Sequence, residues 1–278
     1  MLYLAGAVTA SICMTFLMKY SESHGGNRYA LNIWNYLAGA IFSFFLLEDK
    51  TVLWVNDGGF TLGLGALNGV IYVTCLVFMQ LSIVRNGAPL TTTFNKLGVL
   101  IPTIFSAIVF AEIPSVIQIA GLGLAAFAIV YMNREKKEQR PSFMLGLGII
   151  FLLNGLVEVL SKVYSQNYDS GSQTIYVMYT FFFALLISIV LFFKDKNKMK
   201  MQDVILGICV GIPNQLTSLL VLRAAAKLPA YIVYPTYSAG AIVLVNVINY
   251  LVFKETLTKR QYIATGFIGL ALIFLNLG

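Results

Sequence analysis

Ten long apolar runs, separated by short polar or turn-forming breaks, make up most of the chain. A helix needs about 20 residues to cross the hydrocarbon layer of a membrane. The runs are continuous rather than alternating, which favours helices over the strands of a membrane barrel. The pattern therefore predicts an all-α integral membrane protein with ten transmembrane helices. These are predicted at about 2–18, 30–47, 60–84, 89–111, 115–132, 143–160, 172–193, 203–222, 229–253 and 261–277.

Composition supports a membrane location. The 278 residues are 58% hydrophobic and 11% charged, whereas a soluble domain carries about 25% charged residues. So few charges cannot cover a soluble surface, and the surplus apolar surface is expected to face lipid. The net charge of +7 fits loops that face anionic lipid better than it fits a nucleic-acid partner.

Short segments recur along the chain at nearly one spacing. FAEIPSVIQ at 110–118 corresponds to FKETLTKRQ at 253–261, an offset of 143 residues. GALNG at 65–69 corresponds to GICVG at 207–211, an offset of 142. Each glycine pair has the spacing that lets two helix backbones approach closely, so packing is the expected role of these glycines.

The recurrence divides the chain at the charged segment 134–141, which is predicted to be a linker. Residues 1–133 and 142–278 would then be two repeats of five helices, and Lys19 corresponds to Lys162. An odd number of helices per repeat gives the second repeat the opposite orientation in the membrane. The prediction is thus an inverted-topology repeat, which is common among secondary transporters.

The sequence where each fourth helix ends resembles the EamA domain. In each half a phenylalanine and a glutamate precede a glutamine and a glycine-containing fifth helix. Two EamA domains in tandem form the ten-helix members of the drug/metabolite transporter superfamily. The resemblance implies a central cavity between the halves, lined mainly by helices 1–4 and 6–9, and transport of a small metabolite, often export. The matching residues are Phe110, Glu112, Gln118 and Gly121, then Phe253, Glu255, Gln261 and Gly266.

Charged residues inside the apolar runs are the first candidates for a site, because charge at membrane depth is costly. Glu158 lies in helix 6 with Asn154 and Lys162 four residues to either side, so the three share one helix face. Glu158 could bind a cationic group or carry a proton, or it could form a structural ion pair with Lys162 or Lys96. Lys96 in helix 4 could bind a carboxylate or phosphate. Lys162 could instead reach the membrane interface.

Polar residues in helices 8 and 9 extend the candidate site. Tyr234, Tyr237 and Ser238 could stack on and hydrogen-bond a solute, although tyrosines also form interfacial belts. Asn214 follows Pro213 in mid-membrane, and a proline-interrupted helix is typical of transporter sites.

In the first half, Tyr72 corresponds in position to the amides of helix 8, and Asn32 and Asn35 of helix 2 are further candidates. Glu112 and Glu255 are each expected to cap the helix that follows them in the chain.

Function follows as a hypothesis. No phosphate-binding loop, GxSxG or HExxH motif is present, and one histidine without a Cys/His pattern argues against a metal site, so we expect no enzyme and no cofactor. We expect a secondary active transporter of a small organic metabolite that works by alternating access in the cell membrane, as a monomer. Export and proton coupling are both compatible with it. A channel, or a receptor or scaffold without transport, is the alternative.

Membrane orientation has two opposed indications. Most of the 19 lysines and arginines fall in the loops on the side opposite both termini. The positive-inside rule then places both termini outside the cytoplasm. The EamA resemblance instead implies cytoplasmic termini.

Overall fold

The computed structural model describes residues 1–47, 59–86, 88–133, 143–194, 198–251 and 258–277. These residues contain eleven helices and no strand. Each predicted apolar run coincides with a helix, except that the fourth is divided between two. The helices are α1 Leu2–Ser23, α2 Arg28–Phe45, α3 Phe60–Asn86, α4 Ala88–Leu97, α5 Leu100–Val109, α6 Val116–Asn133, α7 Met144–Asn167, α8 Ser170–Lys194, α9 Met201–Ala225, α10 Ala230–Leu251 and α11 Lys259–Asn276.

Six segments are long and apolar enough to cross a membrane, and α1 and α6 contain shorter apolar stretches. The all-helical prediction is confirmed for the described residues, and these segments indicate a multi-pass membrane protein. Ten spans and the inverted repeat stay predictions. The six are Phe60–Asn86, Leu90–Val109, Met144–Asn167, Ser170–Lys194, Met201–Ala225 and Ala230–Ile248.

The helices pack into two compact units. Unit 1 comprises Met1–Val73 and Val163–Ala226, and unit 2 comprises Thr74–Lys162 and Lys227–Gly278. Each unit combines helices from both predicted repeats, so packing and sequence repetition divide the chain differently. The division into repeats stays a prediction. Several residues on which that division rests lie outside what the structure describes: the predicted linker at 134–141, Phe253, Glu255 and the side chain of Lys19.

Unit 1 is built on α2, α8 and α9, with α1 packed against α9. Aromatic side chains fill its core: Tyr36 meets Phe181 edge to face, and Tyr164 stacks on Tyr176 with ring centroids 4.4 Å apart. All four are at most 2% exposed. Aromatic pairs of this kind contribute beyond the area they bury.

The glycine pairs give unit 1 two close helix crossings. A methyl group on Gly65 would lie 2.7 Å from Tyr179 Cβ of α8, and one on Gly207 would lie 2.6 Å from Trp34 Cβ of α2. Real Cβ atoms do not approach this closely, so both positions require glycine. The packing role predicted for these glycines is confirmed.

The two crossings involve corresponding positions. One joins α3 of the first half to α8 of the second, and the other joins α9 of the second half to α2 of the first. The contacts of Gly69 with Phe183 and of Gly211 with Ala38 follow the same scheme. Between the halves the glycines are offset by 142 residues and their partners by 145.

In unit 2, α6 packs against α11 and α10 packs against α5, α6 and α11. The repeated glutamines begin α6 and α11. Ser115 and Thr258 donate their backbone N–H groups to Gln118 Oε1 and Gln261 Oε1, each at 2.8 Å. In return each hydroxyl accepts the N–H of its glutamine, at 3.4 and 3.3 Å. Both halves therefore use a capping box at the same place.

Candidate functional site

The fourth predicted helix is interrupted in the apolar part of unit 2. The sequence predicted one helix over 89–111, whereas α4 ends at Leu97 and α5 begins at Leu100. Gly98 and Val99 form the turn between them. Discontinuous helices at membrane depth expose backbone groups that ordinary helices use internally.

A side chain from α7 takes part in this interruption. In a continuous helix the N–H of Val99 would donate to the carbonyl of Asn95. Here that carbonyl accepts the Asn154 side-chain amide at 2.8 Å and the Gly98 N–H at 3.2 Å. The Val99 N–H instead faces the Lys96 carbonyl at 3.5 Å. A side chain inserted into the backbone hydrogen-bond ladder is a recognised cause of helix kinks.

Gly98 makes room for the Asn154 amide. A Cβ at this position would lie 2.8 Å from Asn154 Nδ2 and 3.0 Å from the Asn95 carbonyl oxygen. Any larger residue would therefore push the amide away from its acceptor.

One face of α7 presents three polar side chains, as the sequence predicted. Asn154 meets the helix interruption. One turn later Glu158 interacts electrostatically with Lys96, which lies in the last turn of α4. Both charged side chains are partly buried. The hydroxyl of Tyr234 donates to the backbone carbonyl of Glu158 at 3.0 Å, and this ties α10 to the same turn of α7.

Lys162, one further turn along, has a different partner. Its Nζ lies 2.6 Å from Glu112 Oε1, its side chain is fully buried, and it also donates to the Leu228 carbonyl at 3.3 Å. The second oxygen of Glu112 accepts the N–H of Ala230, the first residue of α10, at 2.7 Å. The Phe110 ring lies 5.9 Å from Lys162 Nζ.

Two expectations about this junction are wrong. Lys162 does not reach an interface, because Glu112 neutralises it inside the protein. Glu112 does not cap α6, because Ser115 and Gln118 already perform that role. It caps α10, far away in the chain. The corresponding expectation for Glu255 falls outside the described residues.

The remaining unit 2 candidates lie on α10. Ser238 is 1% exposed, and its hydroxyl has no hydrogen-bond partner among the described residues. It lines a small apolar crevice together with Pro235 of its own helix and Leu97 and Val99 at the interruption. Tyr237 is partly buried.

Unit 1 contains a second, uncharged cluster. The side-chain amide of Asn214 donates to Asn35 Oδ1 at 3.1 Å, and the Tyr72 hydroxyl lies 3.5 Å from Asn214 Oδ1. Tyr72 and Asn214 are 142 residues apart, the same offset as the glycine pairs. Asn32 is buried on the same helix as Asn35.

Gln215 was not among the predicted site residues, although it directly follows Asn214 in an apolar helix. Its side chain is fully buried, and neither its amide oxygen nor its amide nitrogen has a hydrogen-bond partner among the described residues. A buried polar group without a partner costs about 1–3 kcal/mol. An amide side chain inside an apolar helix could have identified Gln215 from the sequence, but the neighbouring Asn214 shows the same feature.

The predicted site residues thus fall into two groups. Direct interactions join three of the four in unit 1, and electrostatic or hydrogen-bond interactions join three of the six in unit 2. Unit 1 holds Asn32, Asn35, Tyr72 and Asn214, and unit 2 holds Lys96, Asn154, Glu158, Tyr234, Tyr237 and Ser238. Among the described residues, no group of three or more His, Cys, Asp or Glu side chains could hold a metal ion.

Comparison with known proteins defines the fold and not the activity. No protein-family model matches the chain, and no curated protein matches it in sequence. A crystal structure of another protein is similar, with a TM-score of 0.81 over 99% of this chain and 96% of that one. Sequence identity between the two is 14%, so the similarity is one of fold alone.

Proposed function

We propose that the protein is a secondary active transporter for a small organic solute, built like the ten-helix EamA-type drug/metabolite transporters. The observation that carries the proposal is that two charged residues, Lys96 of α4 and Glu158 of α7, lie within about one helical turn of the hydrogen bond between Asn154 and the Asn95 carbonyl, beside an interrupted helix. Charged groups at membrane depth are retained when they bind solutes, ions or protons. The interruption brings the Asn154 amide and the rearranged backbone of residues 95–99 to the same place.

The cluster in unit 2 suits a solute that carries charge. Lys96 can bind a carboxylate or phosphate, and Glu158 can bind an ammonium group or a proton. Solute binding would compete with the attraction between the two side chains, so the pair would separate as the solute arrives. Tyr234 and the Ser238 hydroxyl add a ring and a donor on α10.

The wider architecture is part of the same proposal. Two repeats of opposite orientation, alternating access and a location in the cell membrane form one consistent hypothesis. The matched crossings at Gly65 and Gly207 and the matched capping boxes at Gln118 and Gln261 support the repeat. A monomer suffices, because both repeats are in one chain.

Ligand-induced stabilisation of the purified protein tests the proposal. Amino acids, nucleosides, nucleobases and small amines are screened at two pH values for an increase in the unfolding temperature. A ligand that binds only the folded state at about 100 times its Kd adds about 2.7 kcal/mol of stability. Glu158→Gln or Lys96→Ala should remove the response, while Gly148→Ala on the same helix, where a methyl group meets nothing within 4 Å, should retain it.

Reconstitution separates transport from binding. In proteoliposomes with an imposed pH gradient, Glu158→Gln should abolish gradient-driven uptake of the stabilising solute while sparing exchange if Glu158 carries the proton. Retention of both activities would remove Glu158 from the mechanism. Flux that does not saturate with solute would indicate a channel.

A further inference from the structure

Two glycines at corresponding positions of the two halves lie in different local structures. Gly98 stands at the interruption between α4 and α5, whereas the residue 142 positions later, Gly240, lies within the continuous helix α10. Both positions have the same residue type, so glycine alone does not interrupt the helix. Two further features are present in the first case: Pro102, four residues after Gly98, and the Asn154 amide. Pro102 has no N–H for the Gly98 carbonyl, and the residue at the same offset in the second half is Leu244.

The missing N–H of Pro102 concerns the Gly98 carbonyl, whereas Asn154 acts earlier in the chain, at the carbonyl of Asn95. The carbonyl of Asn95 has two lone pairs, and the Asn154 amide and the Gly98 N–H occupy both. No acceptor site remains for the N–H of Val99, which a continuous α-helix would place there. The short distance of 2.8 Å from Asn154 Nδ2 to this carbonyl makes it the stronger of the two contacts.

The other half lacks this amide. The residue that corresponds to Asn154 at the repeat offset of 143 is Ser11. Its hydroxyl donates to the Val8 carbonyl of its own helix at 2.8 Å. The half in which α10 is continuous therefore lacks both the amide and the proline at the corresponding positions.

We propose that Asn154 is a positioning residue: its amide keeps the helix interrupted at Gly98 and thereby sets where Lys96 stands relative to Glu158. Lys96 directly follows Asn95 and occupies the last turn of α4. Asn154 and Glu158 are one turn apart on α7, so a single rigid helix places both the amide and the carboxylate. The importance of this spacing for a solute rests on the proposed transport function, whereas the control of the interruption does not.

Hydrogen exchange at one amide tests the inference without any solute. The sequence contains two Gly–Val pairs, 69–70 in α3 and 98–99 at the interruption. Glycine labelled with ¹³C at its carbonyl and valine labelled with ¹⁵N therefore give two cross-peaks in a spectrum of the protein in nanodiscs. Val70 is the internal control, and Val99 reports the interruption.

Asn154→Leu should slow exchange of the Val99 amide by about tenfold or more, because the freed Asn95 carbonyl can accept it as in a continuous helix. Asn154→Gln keeps the amide donor and should leave the rate near that of the wild type. The Val70 rate should not change in either variant. If Asn154 merely held two helices together, its loss would loosen the turn and exchange at Val99 would become faster.

Gly98→Ala reaches the same point by another route, because its methyl group displaces the Asn154 amide. Labelled alanine and valine then give two cross-peaks, one for Val8 after Ala7 and one for Val99, and slower exchange is again expected at Val99. Unchanged or faster exchange in both Asn154→Leu and Gly98→Ala would overturn the inference. A solute screen without hits would count against the transport proposal and would leave this result intact.

Discussion

The two units use polar side chains in opposite ways. In unit 1 the polar cluster is neutral: Asn35, Asn214 and Tyr72 bind one another within regular helices. In unit 2 two charged groups stand where helices end or begin, Lys96 at the end of α4 and Glu112 before α10, whereas Glu158 lies within α7. The neutral amides are satisfied by one another inside regular helices, whereas Glu112 also accepts an unpaired backbone N–H at the start of a helix.

Glycine has a packing role in both units. In unit 1, Gly65 and Gly207 bring regular helices together, and in unit 2 a Cβ on Gly155 would lie 2.8 Å from the Gly98 carbonyl oxygen. Gly98 of unit 2 has a second role, because it admits a side chain beside the interruption of a helix.

The largest effect is expected at the ion pair of unit 2. Lys162→Met leaves the Glu112 carboxylate without its cation, and breaking a buried pair costs about 3–5 kcal/mol. The unfolding temperature of the detergent-purified protein, taken at one scan rate, should fall clearly. Lys162→Met combined with Glu112→Gln should recover part of the loss, because no charge is then left unpaired. A Lys162→Met variant as stable as the wild type would contradict the pairing.

The glycine crossings of unit 1 come next. Gly65→Ala and Gly207→Ala each force a methyl group against a neighbouring helix, and overpacking of this kind costs about 1–3 kcal/mol. Gly63→Ala, where a methyl group meets nothing within 4 Å, is the matched control in α3. The two crossing variants should lower the unfolding temperature by similar amounts. A large effect at one crossing and none at the other would argue against equivalent repeats.

Two neighbouring amides of unit 1 should respond with opposite sign. Asn214→Leu removes hydrogen bonds to Asn35 and Tyr72, and such bonds in membranes are worth about 0.6–1.7 kcal/mol. Gln215→Leu removes a buried amide without partners among the described residues and should leave stability unchanged or raise it. If Gln215→Leu proved the more damaging, Gln215 would have a bound partner, and unit 1 would also contain a binding site.

The smallest effect concerns Asp169, between α7 and α8. Hydrogen bonds from Ser172, first through its side chain, lower the pKa of this exposed carboxyl and cap α8. A lowered pKa stabilises the fold above the ordinary value of about 4, and the contribution is lost as pH falls through the lowered pKa. Asp169→Asn keeps the cap and should flatten the dependence of unfolding temperature on pH between about 5 and 3. An unchanged dependence would assign it to other carboxyls.

Local features of the sequence predicted the helices well, because each apolar run contains its own signal. The Gly65 and Gly207 pairs were also interpretable, since close packing needs only their spacing. The sequence contains one local signal of the interruption, Pro102 four residues after Gly98, but the part that Asn154 plays could not be predicted, because it lies in another helix. Glu112 was assigned to the following helix for the same reason: the sequence displays neighbours in the chain, and its actual partners, Lys162 and Ala230, are distant.

Unit 1 is built from two segments that are far apart in the chain, and this determines the order in which it can assemble. Its first segment, Met1–Val73, leaves the ribosome long before its second, Val163–Ala226. The faces of α2 and α3 that pack against α9 and α8 therefore lack their partners while the intervening helices are made. Asn35 likewise lacks its hydrogen-bond partner Asn214 during this time. During that interval the chain presents unfilled packing surfaces, and partners that shield them would act on this intermediate and not on the finished protein.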